Sequence, residues 1–282
     1  MGESQDELLV EGDVSPILEI AELTGQSEEE LARHWARLFI QHDRLMLKTF
    51  QTWAGPERAL HMHDQVWENP RQPLREIFLS MGPTAREALD AYARAFMIHD
   101  YFSLKALRDE IGDVDAIEAH HSLWEGQAED YASVTGHQRE AAEFLSWDDL
   151  YETYNAHTSR EGLPYDLTEA TGDRLVIEST HCAYFDTIVE EMGRDAAEEH
   201  LRLIAIESTD RTIEGFLLGI GQENEIRGVM TQHRCHGDGV CQIEFTRRDP
   251  GEALNVMGAT DRPGTQCFFG SKSAAKGADG PR

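Results

Sequence analysis

Cys182 lies at a position where the sequence predicts a reactive thiol. It separates a β-branched run, residues 173–180, from a helical pattern that begins near Ala183. A thiol in the first turn of a helix meets unpaired N–H groups and the positive end of the helix, which lower its pKa and favour the thiolate. The position therefore predicts a nucleophile. The competing interpretation is a buried structural cysteine at a strand–helix junction.

Cys241 belongs to the clearest strand pattern in the chain, residues 240–246. Strict alternation puts it on one face with Ile243 and Phe245. That face should point to the core, so Cys241 is either a small hydrophobic residue or a thiol that reaches the same pocket as Cys182.

Two carboxylates follow a predicted helix over residues 195–206. Glu207 and Asp210 could serve as acid or base, or orient a substrate amine. The alternative is a solvated helix end with a local cap.

Three cationic or polar side chains are candidates for binding a substrate. His181 precedes Cys182, and Arg227 and Arg234 could hold a carboxylate through their planar forks. Residues 226–248 contain four Arg against two acids, so this segment is locally basic and suits an anionic small substrate.

Two alternative interpretations place a metal site in the chain. The interpretation based on the thiols includes no metal or cofactor. Zinc could be bound by Cys182, Glu207, Cys235 and Cys241, although Cys235-x5-Cys241 is not a standard zinc spacing. Separately, Glu118-x-x-His121 has the spacing of a di-iron ligand pair on a helix, but no second such pair occurs on a predicted helix.

The elements that must position these residues change character along the chain. The first half is predicted to be helical, with breaks at Gly55-Pro56, Pro70/Pro73 and Gly112. The second half is predicted to hold strands over 173–180, 213–220, 226–233 and 240–246, with helices over 183–192 and 195–206. The pattern indicates no internal repeat of fixed period.

These patterns predict an α+β protein with a helical N-terminal half packed on an α/β C-terminal half that contains an antiparallel sheet. The expected divisions are an acidic flexible lead (1–26), a helical region (27–160), an α/β region carrying the suspected site (161–250) and a tail (251–282), disordered from about residue 270.

The composition excludes several classes of protein. The 282 residues include 53 acids and 25 bases, a net charge of −28, which argues against a nucleic-acid partner. No apolar run is long enough to span a membrane, and the N-terminus has no secretory signal pattern. Four cysteines fit reduced thiols in a cytoplasmic protein rather than a disulfide scaffold.

Three segments of the C-terminal half resemble one enzyme family. Residues 176–193 (VIESTHCAYFDTIVEEMG), 206–210 (IESTD) and 227–245 (RGVMTQHRCHGDGVCQIEF) are similar to the L-2-amino-thiazoline-4-carboxylic acid hydrolase family, over about a third of the chain. The resemblance implies an α/β core with helical additions and a hydrolase or related ring-opening activity that adds water to a cyclic, amidine-like thiazoline carboxylate.

By position, the resemblance carries Cys182, Asp210 and Cys241 over as site residues. The chain departs from the family pattern at Glu207, where the family has a cysteine, and its hairpin has an additional Cys235-His236. The family's own reaction therefore cannot simply be transferred.

The leading hypothesis is a small-molecule enzyme, a hydrolase acting on carbon–nitrogen bonds of a small cyclic substrate, with a role in specialised metabolism. One alternative is a non-catalytic small-ligand or zinc-binding module of vinyl-reductase-like type. The other is a helical metal-dependent oxygenase that uses Glu118 and His121. The expected partner is a small molecule, with neither nucleic acid nor membrane, and homo-oligomerisation is left open.

Overall fold

The computed structural model describes residues 15–134 and 146–249. The described helices are α1 (Pro16–Thr24), α2 (Glu28–Ala54), α3 (Pro56–Trp67), α4 (Leu74–Ser80), α5 (Ala85–Ile111), α6 (Asp113–Val134), α7 (Trp147–Arg160), α8 (Ala183–Met192) and α9 (Arg194–Gly219). The strands are β1 (Asp166–Ala170), β2 (Arg174–Ser179), β3 (Ile226–Gln232) and β4 (Cys241–Arg247). The predicted α+β class with a helical N-terminal half is confirmed.

The four strands form one antiparallel sheet in the order β1-β2-β4-β3. In β4 the alternation predicted from the sequence is present, with Cys241, Ile243 and Phe245 buried and the residues between them partly exposed. Helices α7 and α9 pack on the buried face. Gly228 in β3 allows the closest approach, since a Cβ there would lie 2.4 Å from Ile213 of α9.

The predicted strand over residues 213–220 is wrong, because α9 continues through it to Gly219. Ile213, Phe216, Leu217 and Ile220 are all buried against the sheet. Their spacing of three, four and seven residues is that of one helix face, and this period prevails over the β propensity of single residues.

Part of the predicted acidic lead is folded. Helix α1 lies inside it, with Ile17 and Ile20 buried in the helical core. The lead before residue 15 and the tail from residue 251 lie outside the described residues. Among the described residues, no helix is long and apolar enough to cross a bilayer.

The prediction that the chain has no internal repeat is wrong. Residues 27–67 (the first repeat) align without a gap on residues 84–124 (the second repeat), at a constant offset of 57. Twelve of the 41 pairs are identical, and they include a His-Asp dipeptide, a later His and a Trp: His42-Asp43, His63 and Trp67 in the first repeat, and His99-Asp100, His120 and Trp124 in the second.

The two repeats have the same local structure. Each begins with a hydroxyl residue at the N-cap and continues in a 27-residue helix, α2 or α5. Each long helix ends at a glycine with positive φ, 87° at Gly55 and 86° at Gly112, and a second helix starts directly afterwards. Because a side chain is strained at this φ, the glycine fixes the turn between the helices.

The His-Asp dipeptide is the 15th and 16th residue of both long helices. The helical bundle and the sheet have separate buried clusters, and α8 and α9 lie between the two halves. The repeats therefore place equivalent polar residues in the middle of the bundle, beside the C-terminal half.

Candidate functional site

A cavity of about 170 Å³ lies between the helical bundle and the sheet. Both halves of the chain contribute to its wall. The lining residues are predominantly apolar: Trp35, Leu38, Phe96, Asp100, Trp124, Tyr154, His157, Thr158, Glu161, Gly162, Leu163, Cys182, Tyr184, Leu201, Ile204, Thr209, Thr212, Phe216, Met230, His233 and Cys241. An apolar cavity of this order holds a single-ring molecule, since an engineered one of ~150 Å³ binds benzene.

Two of the predicted thiols line this one cavity. Cys182 is the N-cap of α8, and its Sγ accepts a hydrogen bond from the Phe185 N–H at 3.4 Å. Cys241 begins β4 opposite Ser179, and only 1% of it is exposed. The strand–helix junction and the inward face of β4 thus bring both sulfurs to the same wall.

The expectation of a resting thiolate at Cys182 is wrong. Burial raises the pKa of the Cys182 thiol well above its ordinary value, and the neighbouring Cys241 raises it further. The hydrogen bond from Phe185 lowers the pKa, but by less than burial raises it. A helix N-terminus favours thiolate only where water also solvates the charge, so this site holds a neutral S–H.

Of the two residues predicted as acid and base, Glu207 and Asp210, the structure describes only the side chain of Asp210. Glu207 is within α9, and its side chain lies outside the described part of the chain. Asp210 Oδ1 accepts a hydrogen bond from the Met230 backbone N–H at 2.7 Å. This contact joins α9 to β3 and sets the position of Met230 on the cavity wall.

The three predicted substrate-binding residues do not line the cavity. Arg234 makes a bidentate ion pair with Asp186, at 3.0 and 3.2 Å. Arg227 is on the sheet face opposite Met230, and His181 is exposed in a separate surface groove. Among the described lining residues there is no Lys or Arg, so this cavity is not a cationic site for an anionic substrate, and the predicted substrate-binding roles of the three residues stay predictions.

Three titratable groups on the cavity wall, Glu161, His157 and His233, favour their uncharged forms at neutral pH. Burial raises the pKa of Glu161 to about 8, so its carboxyl holds its proton at neutral pH. Burial lowers the pKa of His157 to about 3 and that of His233 to about 4. Buried Cys235 lies behind the wall, with its Sγ 2.8 Å from His233 Nδ1.

One buried carboxylate, Asp100, forms the wall on the bundle side. Its Oδ1 lies 3.0 Å from His120 Nε2 and 3.2 Å from His42 Nε2. Tyr184 donates its hydroxyl proton to Asp100 Oδ2, and His200 Nε2 lies 3.2 Å from the Tyr184 oxygen. We call Asp100, His42, His120 and Tyr184 the Asp100 centre.

The Asp100 centre is charged in spite of its burial. Burial alone would raise the pKa of Asp100, but the charge and hydrogen bond of His120 and the hydrogen bond of His42 outweigh it and hold the pKa well below its ordinary value. Burial and the nearby carboxylate raise the pKa of Tyr184, which therefore remains a donor.

The first repeat builds an equivalent centre around Asp43. Its Oδ1 lies 2.9 Å from His63 Nε2 and 3.1 Å from His99 Nε2, and it accepts a bond from Trp67 Nε1 at 2.9 Å. We call Asp43, His63, His99 and Trp67 the Asp43 centre. Burial would raise the pKa of Asp43, but these donors lower it below its ordinary value.

The two centres have the same pattern of contacts within and between the repeats. Each Asp meets one His from the next helix of its own repeat, 20 residues later, and one His from the long helix of the other repeat. The aromatic residues follow the same pattern. Phe39 packs edge-on against Trp67 and His99, and its equivalent Phe96 packs against Trp124 and His42.

Among the described side chains, one group of three His, Cys, Asp or Glu residues has its ligand atoms mutually within 4.8 Å. It is Asp43, His63 and His99. The cysteines suggested for zinc are not in such a group. Glu118 of the suggested di-iron pair is held by Arg211, through two bonds of 3.0 Å.

Sequence reasoning missed both His-Asp centres. The signal was available as a spacing, His-Asp-x19-His-x3-Trp, which occurs at residue 42 and again at residue 99. Ligand pairs on a single helix do not reveal it, because in each centre the Asp and its two His come from three different helices.

In comparisons with known proteins, no family model, curated protein or solved structure matches the chain. The resemblance to the thiazoline carboxylate hydrolases therefore stays a prediction, and the geometry of the site has to support any function on its own.

Proposed function

We propose that the chain is an enzyme that opens a small, uncharged ring compound held in the cavity between the bundle and the sheet. The observation that carries the proposal is that Cys182 and Cys241, from distant parts of the sequence, line one apolar cavity together with the neutral acid Glu161. The activity class is that of a hydrolase acting on a carbon–nitrogen bond.

The size and charge of the cavity define the substrate class. About 170 Å³ of mainly apolar space suits one five- or six-membered ring. A free carboxylate would be buried without a cationic partner among the described lining residues, which is costly. The favoured substrate is therefore a weakly basic cyclic imine or thioimidate, which is uncharged at neutral pH, rather than a ring acid.

A neutral thiol can begin this reaction without a separate base. The Cys182 sulfur adds to the carbon of a ring C=N bond while its proton passes to the ring nitrogen, so the S–H bond and the C=N π bond are exchanged for C–S and N–H bonds. The protonated Glu161 carboxyl can then give a proton to the ring atom that leaves as its bond to this carbon breaks. Water attacks the thiol-bound carbon, one of its protons returns to the Glu161 carboxylate and the other to the Cys182 sulfur as the C–S bond breaks, and the free thiol and acid are restored.

Cys241 and Tyr184 are suited to positioning roles. Cys241 contributes a neutral thiol to the same wall, and the Tyr184 hydroxyl is oriented by Asp100. Both would contact the ring and hold its C=N carbon toward Cys182, because a small shift of the reacting carbon costs much of the rate.

The test is turnover of 2-methyl-2-thiazoline with and without a 4-carboxylate, followed by NMR as ring opening. We expect faster opening of the uncharged ring, loss of at least ~100-fold in kcat for Cys182→Ser, and a rise in KM with a smaller fall in kcat for Cys241→Ala. Unchanged turnover in Cys182→Ser would reject the nucleophile. Saturable binding of the ring with no turnover by the wild type would instead favour the non-catalytic binding module.

A further inference from the structure

The duplicated motif supplies two carboxylate centres with the same residue types but different surroundings. In the Asp100 centre, Tyr184 of α8 donates to the second carboxylate oxygen, and His200 of α9 lies against Tyr184. In the Asp43 centre the described donors all approach one oxygen, Oδ1. The Asp100 centre is closed by the C-terminal half, whereas the described contacts of the Asp43 centre come from the bundle alone.

We propose that Asp43, His63 and His99 bind one divalent first-row transition-metal ion and leave at least one coordination position open. This inference is independent of the cysteine cavity and of the ring-opening activity proposed for it. It rests on donor chemistry, on the crowding of Oδ1, on solvent access and on the contrast with the equivalent centre in the second repeat.

The donors are those that zinc and the neighbouring divalent ions prefer. Two imidazole Nε2 atoms and one carboxylate oxygen, mutually within 4.8 Å, form a two-His, one-carboxylate set. Ser103 Oγ lies 3.3 Å from His99 Nδ1 and can accept its proton, which leaves Nε2 free to bind an ion. The equivalent position in the first repeat is Met46, which has no hydroxyl for the other cross-repeat histidine, His42.

Three side-chain nitrogens crowd one oxygen of Asp43. His63 Nε2, His99 Nε2 and Trp67 Nε1 all lie within 3.1 Å of Oδ1. With an ion between the oxygen and the two imidazoles, both Nε2 atoms would become ligands. The Trp67 N–H would then remain as the single outer hydrogen bond to the carboxylate.

The Asp43 centre is also accessible from solvent. The side chains of Asp43 and His63 are 22% and 20% exposed, so an ion can enter and water can complete its coordination. In the Asp100 centre the side chains of Asp100, His42 and His120 are all 0% exposed. Three protein ligands plus water is the arrangement of an exchangeable or catalytic site, not of a closed structural one.

The duplication supplies a matched control for the test. The full chain is stripped with EDTA, dialysed, and titrated with Zn²⁺ by calorimetry and with Co²⁺ by visible absorption. His63→Gln removes a proposed ligand, and His120→Gln removes its equivalent, 57 residues later, from the closed centre. His61→Gln, at an exposed position on α3, serves as a control that should fold in any case.

We expect the wild type to bind one ion per chain and His63→Gln to weaken binding by more than about 100-fold, beyond the 10–100-fold typical of losing an outer partner. His120→Gln and His61→Gln should still bind one ion. The proposal is overturned if the wild type binds no stoichiometric ion, if His63→Gln binds as tightly as the wild type, or if His61→Gln abolishes binding. Two ions per chain, with one lost in His120→Gln, would overturn the assignment to a single centre. If His120→Gln does not fold, the wild type, His63→Gln and His61→Gln still decide the result.

Discussion

The Asp43 and Asp100 centres come from equivalent segments of the two repeats, 57 residues apart, but different residues surround them. Both place a carboxylate between two histidines and pack a phenylalanine against the neighbouring Trp and His. The Asp100 centre faces the cavity and is sealed by Tyr184 and His200. The Asp43 centre does not line this cavity, and its Asp43 and His63 side chains are partly exposed to water.

The difference shows how one motif can acquire two roles without a change in its own residues. What distinguishes the centres is their surroundings: among the described residues, α8 and α9 contribute contacts to the Asp100 centre and none to the Asp43 centre. In the covered centre the carboxylate orients a tyrosine at the wall of a small-molecule cavity. In the open centre the same residue types remain able to bind an ion. Partner residues from outside a motif therefore decide which chemistry the motif performs.

The largest expected effect is a difference in stability between variants of the two centres. Asp100→Ala should lower the free energy of unfolding by about 3–5 kcal/mol, because it leaves buried imidazoles and a tyrosine hydroxyl without their acceptor. Asp43→Ala in the metal-free protein should cost about 1–2 kcal/mol, because water can reach its donors. Urea denaturation of both variants measures the two values. Equal losses would show that burial does not distinguish the centres.

A smaller effect concerns the pKa of buried carboxyl groups. If the histidine contacts lower the pKa of Asp43 and Asp100, a buried carboxyl group without such contacts should have a raised pKa. Glu161 lines the same cavity as Asp100, but its described ion-pair contact, His157 Nε2 at 3.7 Å from Oε2, is too long for a hydrogen bond, and burial raises its pKa from 4.5 to about 8. The folded state then holds a proton that the unfolded chain has lost, so stability falls as pH rises from about 4.5 to about 8.

Glu161→Gln should remove this fall. Between pH 5 and pH 8, the unfolding free energy of the variant should gain about 1–2 kcal/mol relative to the wild type, less than the full linkage limit because 21% of the Glu161 side chain is exposed. Glu152→Gln, which removes a charge from an exposed position on α7, measures the effect of charge alone. Parallel pH profiles for the wild type and Glu161→Gln would contradict the raised pKa.

Local patterns in the sequence were enough for much of the fold. Alternation in β4 placed Cys241 on the inner face, and the helix over Ala183–Met192 was predicted with its observed bounds. The strand predicted over 213–220 failed because its apolar residues follow a helix period that continues α9. Strand β1 was missed, since its residues are mostly exposed and carry no alternation of burial.

The candidate sites were harder to predict because they depend on contacts between distant segments. That Cys182 and Cys241 line one cavity follows from the tertiary packing of distant segments, and no spacing encodes it. Burial reversed the effect expected from the helix N-terminus at Cys182. The His-Asp centres draw on three helices each, with one histidine crossing between repeats, so only the repeat itself was visible in the sequence.

The central claim is that the repeated motif forms one open metal centre and one closed hydrogen-bonded centre. Anomalous diffraction from crystals of the zinc-loaded protein, recorded at the zinc edge, tests it most directly. The account predicts one peak per chain, about 2.0–2.2 Å from Nε2 of His63, Nε2 of His99 and an oxygen of Asp43, with no peak at the Asp100 centre. A peak between His42, Asp100 and His120, or no peak at Asp43, would contradict it.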